Sequence, residues 1–177
     1  VTYKALLFIP SRMPNQYFTE DFKPGLQLYS SGVMIMEKCP DLLAESFYFV
    51  RGIVDSPDLS LNISREMLQH DRQLRIIAQN LNKRIKNELV KMLESDREKY
   101  EKFYKNYGRQ LRYGAVANYG QNIESLRDLL IYNVDEDKTA TLKEYTDRMP
   151  AEQKYIYYAV GDSVSKMLRL PQAELVR

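Results

Sequence analysis

The residues with the clearest chemical potential lie between Asp58 and Gln69. Asn62 and Ser64 are both good helix N-caps, because a short side-chain oxygen can accept a hydrogen bond from a free N–H of the first turn, and Ser64 is taken as the cap. With that cap, Arg65 is the first helical residue, where a cation loses about 0.3–1 kcal/mol against the helix dipole. Free helix N–H groups beside a guanidinium suit an anion, most naturally a phosphate. The alternative is a structural Arg65 that pairs with Asp58 or Glu66.

Other kinds of active site are poorly represented. The sequence has one histidine, His70, and one cysteine, Cys39, so the usual zinc ligands and nucleophile–base sets cannot be assembled. It also has no glycine-rich phosphate loop of the Walker type. The chain therefore offers one electrophilic group, Arg65, without the rest of an active site. That pattern is typical of an arginine supplied from outside to a phosphate that another element holds.

Composition places the chain among ordinary globular proteins. Of its 177 residues, 44% are hydrophobic and 28% are charged, and the net charge is only +2. We therefore expect no nucleic acid as a partner. No apolar run approaches the length of a membrane span, so we expect no membrane contact. The single cysteine excludes an internal disulfide and favours a reducing, cytoplasmic location.

Runs of β-branched and aromatic residues predict four strands. These strands are expected at residues 2–9, 26–29, 33–36 and 47–54. The first is continuously apolar, which predicts burial on both faces, and the apolar residues of the last are expected to be buried as well. Ser30, Ser31 and Gly32 separate the middle two strands, which are either a hairpin or one bent strand with a bulge.

A long surface loop is predicted at residues 12–25, where proline and scattered polar residues interrupt the pattern. Tyr17, Phe18 and Phe22 lie within it. Aromatic residues in such a loop usually fasten it to its own core, and we favour that interpretation. The alternative is an exposed contact surface, which would suit the gripping of another protein.

The longest predicted helix begins at Arg65. Its apolar residues recur at steps of three, four and seven: Met67, Leu74, Ile77, Leu81, Ile85, Leu89 and Met92. Leu74, Ile77, Leu81 and Ile85 are expected to be buried. The opposite face is basic, and we interpret it as a solvated face rather than a nucleic-acid stripe, because no aromatic stacking set accompanies it.

Further elements follow the long helix. Ser95 and Glu98 form a predicted capping box that opens a second helix, which Gly114 is well placed to end. Its apolar side consists of Tyr100, Phe103, Tyr104, Tyr107 and Leu111. The stretch 135–138 is predicted to be a charged loop, and Thr141 and Glu144 form a second capping box. Residues 155–160 have the composition of a buried strand, although the sequence supplies no obvious partner for it.

The stretch 59–69, Leu-Ser-Leu-Asn-Ile-Ser-Arg-Glu-Met-Leu-Gln, closely resembles the signature of the middle domain of the heat-shock-protein-ninety chaperones. Residues 3–10, 49–56 and 153–158 are similar to flanking pieces of that domain in the same order. The similarity runs from end to end of the chain, and the bacterial type of the family is the nearer resemblance. A match of many contiguous residues is far more specific than a short motif.

The resemblance implies a role for three residues. Arg65 would reach the terminal phosphate of ATP, which with its Mg²⁺ is held mainly by a separate N-terminal domain of the same chain. Asn62 and Gln69 match residues that shape the family's catalytic loop. Asn62 would fix the loop conformation, whereas Gln69, one helical turn beyond Arg65, would face the same ligand. The isolated chain is not expected to turn over ATP, because it has no nucleotide pocket of its own.

The resemblance also implies a function and partners. The chain would be the middle segment of an ATP-dependent molecular chaperone of the stress response, which assists the folding of client proteins. Its partners would be the N-terminal ATPase domain, unfolded or partly folded clients, and a second copy joined through a C-terminal domain to give a homodimer. Residues 12–25 and other apolar surface would help to grip clients.

The expected fold class is α/β. We expect a layered α-β-α domain with a long helix at residues 1–115, a helical linker at 116–150, and the incomplete start of a smaller α/β subdomain at 151–177. The alternative function is a non-catalytic helical protein-interaction module. In that case Arg65 is buried in an ion pair and the basic helix face binds a partner.

Overall fold

The computed structural model describes residues 1–60 and 71–174. The chain forms two compact units, Val1–Leu126 and Arg127–Arg177. Both units contain strands and helices, so the predicted mixed α/β class is confirmed. The domain limits placed at residues 115 and 150 stay a prediction. Within these described ranges, no helix is both long and apolar enough to cross a membrane.

The first unit contains a four-stranded sheet. Its strands are β1 (Lys4–Phe8), β2 (Leu26–Ser30), β3 (Val33–Cys39) and β4 (Arg51–Asp55), in the spatial order β1-β4-β2-β3. Strand β4 pairs antiparallel with β1 and parallel with β2, whereas β2 and β3 form an antiparallel hairpin. Ser31 and Gly32 make its turn with φ values of 49° and 81°. Positive φ at both central residues matches the twist of the flanking strands, so of the two alternatives the hairpin is confirmed.

Strand β1 lies at the edge of this sheet and is mostly exposed. The Leu6 and Phe8 side chains are 69% and 57% accessible, so the prediction that residues 2–9 are buried on both faces is wrong. Ile53 of β4 lies opposite Leu6 and is also exposed. The face that carries these residues is therefore open in the described part of the chain. The apolar run reflects β propensity at an edge rather than burial.

The segment 47–54 divides into a turn and a strand. Glu45–Phe47 form a 3-10 turn, as do Pro40–Leu42 before them, and the extended backbone begins only at Arg51. Phe47, Phe49, Val50 and Val54 are buried as predicted, whereas the burial predicted for Ile53 is wrong, because its side chain is 40% exposed. The prediction of one continuous buried strand is wrong, because the chain must first turn to bring the two phenylalanines into the core.

Helix α1 spans Arg72–Ser95, and its buried residues are Leu74, Ile77, Leu81, Ile85, Leu89 and Leu93. The four apolar residues expected to be buried are confirmed, although Leu93 takes the place predicted for Met92. The helix begins at Arg72 because Asp71 has an extended backbone, with φ −69° and ψ 127°, and caps it. One uninterrupted helix from Arg65 is therefore wrong. Met67 lies outside the described residues.

Asn82 fixes α1 to the two 3-10 turns. Its Oδ1 accepts a hydrogen bond from the Ala44 N–H at 2.7 Å. Its Nδ2 donates to the carbonyls of Leu42 at 3.2 Å and Ala78 at 2.7 Å. One side chain thus satisfies backbone groups of the turn segment that secondary structure leaves unpaired. The position of α1 against the turn segment is set by these bonds as well as by apolar packing.

Helix α2 spans Arg97–Gly120. Its N-cap is Asp96, whose Oδ1 accepts from the Lys99 N–H at 3.1 Å. The predicted capping box at Ser95 is wrong, because Ser95 is the last residue of α1 and its Oγ donates to the Lys91 carbonyl.

The predicted apolar side of α2 is buried at Tyr100, Phe103, Tyr107 and Leu111, and only partly so at Tyr104. The rings of Phe103 and Tyr107 lie 5.3 and 4.9 Å from that of Phe49.

Gly114 does not end α2, so its predicted role as a helix terminator is wrong. It lies where α2 meets the second 3-10 turn, one helical turn after Gln110, whose Nε2 donates to the Glu45 carbonyl at 2.7 Å. A Cβ added at Gly114 would overlap the Cβ of Ser46 and lie 2.9 Å from its Cα. The glycine is required by the close approach of helix and turn.

Replacing Gly114 by alanine is expected to destabilise the chain by about 1–3 kcal/mol, because overpacking against Ser46 outweighs the roughly 1 kcal/mol gained in helix propensity. Urea unfolding measures the change. The double variant Gly114→Ala/Ser46→Gly should recover part of the loss, since it removes one of the two overlapping Cβ atoms. A more stable single variant would contradict the close approach.

The loop between β1 and β2 is fastened to α2 by its aromatic residues. Tyr17 is buried, and its ring centroid lies 4.4 Å from that of Phe22 and 6.0 Å from that of Tyr107. The Tyr107 hydroxyl donates to the Pro10 carbonyl at 2.8 Å. Burial raises the pKa of Tyr107 above its usual value. The fastening interpretation is confirmed for Tyr17 and Phe22, whereas Phe18 stays 48% exposed.

The first unit ends with the short helix α3 (Ile123–Leu126). The second unit begins with the 3-10 turn Arg127–Leu129 and continues through β5 (Ile131–Asp135), β6 (Lys138–Thr141), α4 (Leu142–Arg148), α5 (Val164–Leu168) and α6 (Pro171–Glu174). Strands β5 and β6 pair as an antiparallel hairpin, and the charged loop predicted at 135–138 is the tip of this hairpin.

The capping box of α4 is confirmed. Thr141 Oγ1 accepts a hydrogen bond from the Glu144 N–H, and the Glu144 carboxylate accepts one from the Thr141 N–H.

Residues 155–160 form neither a strand nor a buried segment. Tyr155 is 68% exposed, and Tyr158 and Val160 are each 87% exposed. The predicted buried strand is therefore wrong, because a strand needs a pairing partner and none of the described residues pairs with this stretch. We expect weak protection of these amides from hydrogen exchange in a dilute monomeric sample.

Candidate functional site

The predicted site residues Asn62, Arg65 and Gln69 lie outside the described residues, as does His70. The structure does describe the chain on both sides of them, up to Ser60 and again from Asp71. The described part of the site therefore consists of the two points at which the segment 61–70 is attached.

Ser56 forms the first part of the leading attachment. It is fully buried directly after β4, and its N–H donates to the Tyr29 carbonyl at 3.1 Å. Its Oγ donates to the Thr2 carbonyl at 2.7 Å. The Asp58 carboxylate accepts from the Thr2 N–H, also at 2.7 Å. Asp58 is thus bonded to the backbone before β1, and this bond helps to fix the chain where it leaves the sheet.

Leu59 and Ser30 complete this attachment. The Leu59 side chain is 3% exposed, and its N–H donates to the Ser56 carbonyl at 3.4 Å. The Leu59 carbonyl accepts a bond of 2.6 Å from the buried Ser30 Oγ, at the end of β2. Buried hydroxyl–carbonyl bonds are costly to break, because an unsatisfied partner stays behind. The residue two positions before 61 is therefore held by the centre of the sheet.

We expect the Ser30→Ala variant to lose about 1–3 kcal/mol of stability, because the buried Leu59 carbonyl loses its donor. Urea unfolding of the chain measures the loss. Ser95→Ala is the matched control, since its exposed hydroxyl bonds only within its own helix, and it should change stability by less than about 0.5 kcal/mol. Equal effects of the two changes would show that the Ser30 bond does not hold the attachment.

Asp71 forms the trailing attachment. Its Oδ1 accepts a bond of 2.8 Å from the Leu74 N–H, which satisfies a free donor at the start of α1. Its negative charge is also favoured at the positive end of the helix dipole. Because α1 is fixed by its buried face and by Asn82, the segment 61–70 returns to a rigid element. The segment 61–70 is therefore attached to ordered elements at both ends.

Other parts of the described surface offer less for catalysis. A shallow depression of about 490 Å³ in the second unit is lined by Asp135, Glu136, Asp137, Lys138, Ser165, Leu168 and Arg169. Another of about 490 Å³ is lined by Asp41, Leu43, Ala44, Arg75, Ala78, Gln79 and Asn82. Neither contains a histidine or a cysteine. Across residues 1–60 and 71–174, no group of His, Cys, Asp and Glu could hold a metal ion.

The sequence did not mark Ser30 and Ser56 as attachment residues, and it indicated Asp58 only as an alternative partner of Arg65. Their bonds join positions far apart in the chain, to Leu59 and Thr2, and no local pattern marks them. Asp71 could have been found, because an aspartate three residues before a buried leucine is a typical cap position. Ser64 is an equally suitable cap by residue type, so the local sequence does not choose between the two.

Comparison with known proteins identifies what this arrangement is similar to. The sequence model described as Hsp90 protein matches residues 1–177. The chain is 56% identical over 177 residues to the chaperone protein HtpG of Bacillus subtilis. It is 58% identical over 175 residues to the chaperone protein HtpG of Clostridium botulinum. The two alignments cover 99% and 98% of this chain and 28% of each relative, so the chain spans little more than a quarter of their length.

Among solved structures, the fold is similar to the middle domain of a Plasmodium falciparum heat shock protein. The TM-score is 0.81 at 25% sequence identity, and the match covers 98% of this chain and 68% of that one. The structural match therefore extends over nearly the whole chain.

Proposed function

This chain belongs to the Hsp90 protein family, and on that premise we propose that it is the middle segment of an ATP-dependent molecular chaperone. In this proposal Arg65 contacts the terminal phosphate of ATP. The nucleotide and its Mg²⁺ are held mainly by a separate N-terminal domain of the same protein. The observation that carries the proposal is the family match over residues 1–177, which includes the stretch 59–69.

The described residues fit such a role for Arg65. Leu59 and Asp71, on either side of the segment 61–70, are held by the sheet and by α1 respectively. ATP supplies a phosphoryl group whose transfer develops negative charge, and a guanidinium aimed at that group stabilises it. Such stabilisation depends on preorganisation, since a charge that must reorganise contributes less. Asn62 would fix the segment, and Gln69 would face the same phosphate.

The proposal extends to the complete protein. It would hydrolyse ATP, assist the folding of unfolded or partly folded clients, act as a homodimer through a C-terminal domain, and work in the cytoplasm during stress. This chain alone is not expected to turn over ATP, because the adenine and most phosphate contacts would belong to the N-terminal domain. Exposed apolar residues such as Phe18, Leu6 and Phe8 would contribute client-binding surface.

Adding this chain to the isolated N-terminal ATPase domain tests the proposal. ATP turnover should rise above that of the N-terminal domain alone, and the same chain with Arg65→Ala should raise it much less. A control with Arg72→Ala removes a similar exposed charge outside the segment 61–70 and should behave like the original chain. Equal stimulation by all three chains would contradict the role of Arg65. A chain that binds without any stimulation would favour the non-catalytic interaction module.

A further inference from the structure

The second half of α2 carries two arginines whose guanidinium groups are held over aromatic rings. The Arg109 Cζ lies 4.5 Å from the centroid of the Phe18 ring. The Arg112 Cζ lies 5.6 Å from that of Tyr104. Both arginines are exposed. A ring beneath a guanidinium restricts the side chain while its N–H edges stay available for a bidentate acceptor.

The positive charge of these arginines is not neutralised within the described chain. No ion pair of the described residues involves Arg109 or Arg112. The acids of α2 lie in its first turns, where Glu98 pairs with Lys102 and Glu101 pairs with Arg97. The later part of the exposed face is therefore basic, in contrast with the charge-paired beginning of the same helix.

Each of the two arginines is followed one helical turn later by an exposed apolar residue. Tyr113 lies four positions after Arg109 and is 60% exposed, and Val116 lies four positions after Arg112 and is 66% exposed. Residues four apart are neighbours on a helix surface. The side chains of Phe18, Arg109, Arg112, Tyr113 and Val116 thus form one surface, here named the α2 patch. Large apolar groups beside unpaired cations are unusual on a merely solvated helix face.

We propose that the α2 patch is a docking surface for an acidic protein segment that carries carboxylates and an apolar side chain about one helical turn apart. The restricted guanidinium groups would bind the carboxylates with little further loss of side-chain entropy. Tyr113, Val116 and the exposed edge of Phe18 would bury the apolar side chain. This surface is separate from the segment 61–70, so the proposal does not rest on the proposed contact of Arg65 with ATP.

A peptide fits this surface better than a nucleic acid does. Three of the five patch residues are aromatic or aliphatic, whereas a phosphate backbone would need a longer run of cations. The whole chain has a net charge of only +2, which does not favour a polyanion as the partner. The partner is therefore defined by a few carboxylates next to an apolar anchor, the combination that protein interfaces use.

Fluorescence anisotropy with a labelled synthetic peptide tests the proposal. The probe has consecutive glutamates followed by leucine and phenylalanine, and its counterpart has glutamines in place of the glutamates. The chain should bind the glutamate peptide, the glutamine peptide should bind at least about tenfold more weakly, and added salt should weaken binding. Arg109→Gln/Arg112→Gln should weaken binding of the glutamate peptide about tenfold, and Tyr113→Ser/Val116→Ser should weaken it without removing its salt dependence.

The matched control is Arg84→Gln/Lys91→Gln, which removes the same charge from exposed positions of α1. It should change affinity by less than about twofold. Melting temperatures of all variants should stay near that of the original chain, because every substituted residue is exposed. The proposal is overturned by equal binding of both peptides, by equal losses in the α1 control, or by absence of binding. Binding of a single-stranded oligonucleotide but not of the acidic peptide would also overturn it.

Discussion

Steady-state ATP turnover by the complete protein is expected to fall steeply when Arg65 is replaced by alanine, while nucleotide affinity stays nearly unchanged. An arginine that reaches the terminal phosphate contributes on the order of 10³–10⁵ in rate at best. We expect a smaller factor here, because domain closure rather than chemistry can limit such a cycle. Affinity should be spared, since the adenine and most phosphate contacts belong to the other domain in the proposed function.

Three measurements make this result decisive. ATPase rate, nucleotide affinity and melting temperature are compared for the original protein, Arg65→Ala and Arg65→Lys. Lysine should not restore full turnover, because an ammonium lacks the planar fork of donors that matches phosphate oxygens. Stability should change by no more than about 0.5 kcal/mol if Arg65 has no structural partner. If Arg65→Ala keeps the ATP turnover of the original protein, Arg65 has no catalytic role. If turnover and stability fall together, Arg65 is a structural residue.

Periodicity in the sequence was enough to predict the faces of both long helices. Leu74, Ile77, Leu81 and Ile85 are buried in α1 as their spacing indicated. The start of that helix was not predictable in the same way, because Ser64 and Asp71 are both suitable caps and local propensity does not choose between them. Asp71 is the cap of α1 because its carboxylate bonds the Leu74 N–H. The capping box predicted at Ser95 was wrong for the same reason. Asp96 is the single residue between the two helices, and its carboxylate caps α2.

Burial of strands was the least predictable feature. Residues 4–8 include four apolar residues and residues 51–55 only two, yet Leu6 is exposed and Val54 is fully buried. The difference arises from strand order and from which face the helices cover, and both depend on contacts distant in the sequence. The hairpin of β5 and β6 was missed because its tip is a run of charged residues without a glycine or asparagine turn signal.

The candidate site was predictable only in part, for a related reason. The resemblance of residues 59–69 singled out Arg65, and the family match agrees with that resemblance. The groups that attach this segment, Ser30 and Ser56, carry no signal of their own. A buried serine that bonds a distant carbonyl has the same sequence appearance as a serine in a loop.

Leu81→Ala is expected to lower the free energy of unfolding by about 2–5 kcal/mol, the second large effect. Leu81 is 3% exposed in the middle of α1, one turn from Ile77 and Ile85, which are also buried. Truncation removes apolar contacts and leaves a cavity that rigid neighbours fill only partly. Collapse around the cavity is further opposed by Asn82, which bonds the adjoining turn segment and holds α1 in place.

Urea unfolding midpoints of the original chain, Leu81→Ala and Lys83→Ala measure this cost. Lys83 is exposed on the same helix, and alanine there keeps or slightly improves helix propensity, so its midpoint should move little. The slope of the transition should be the same in all three chains, since the surface exposed on unfolding is similar. If Leu81→Ala unfolds at the same urea concentration as Lys83→Ala, the face of α1 that carries Leu81 is in contact with solvent. The packing of α1 against the first unit would then be wrong, and with it the fixed point to which the segment 61–70 returns at Asp71.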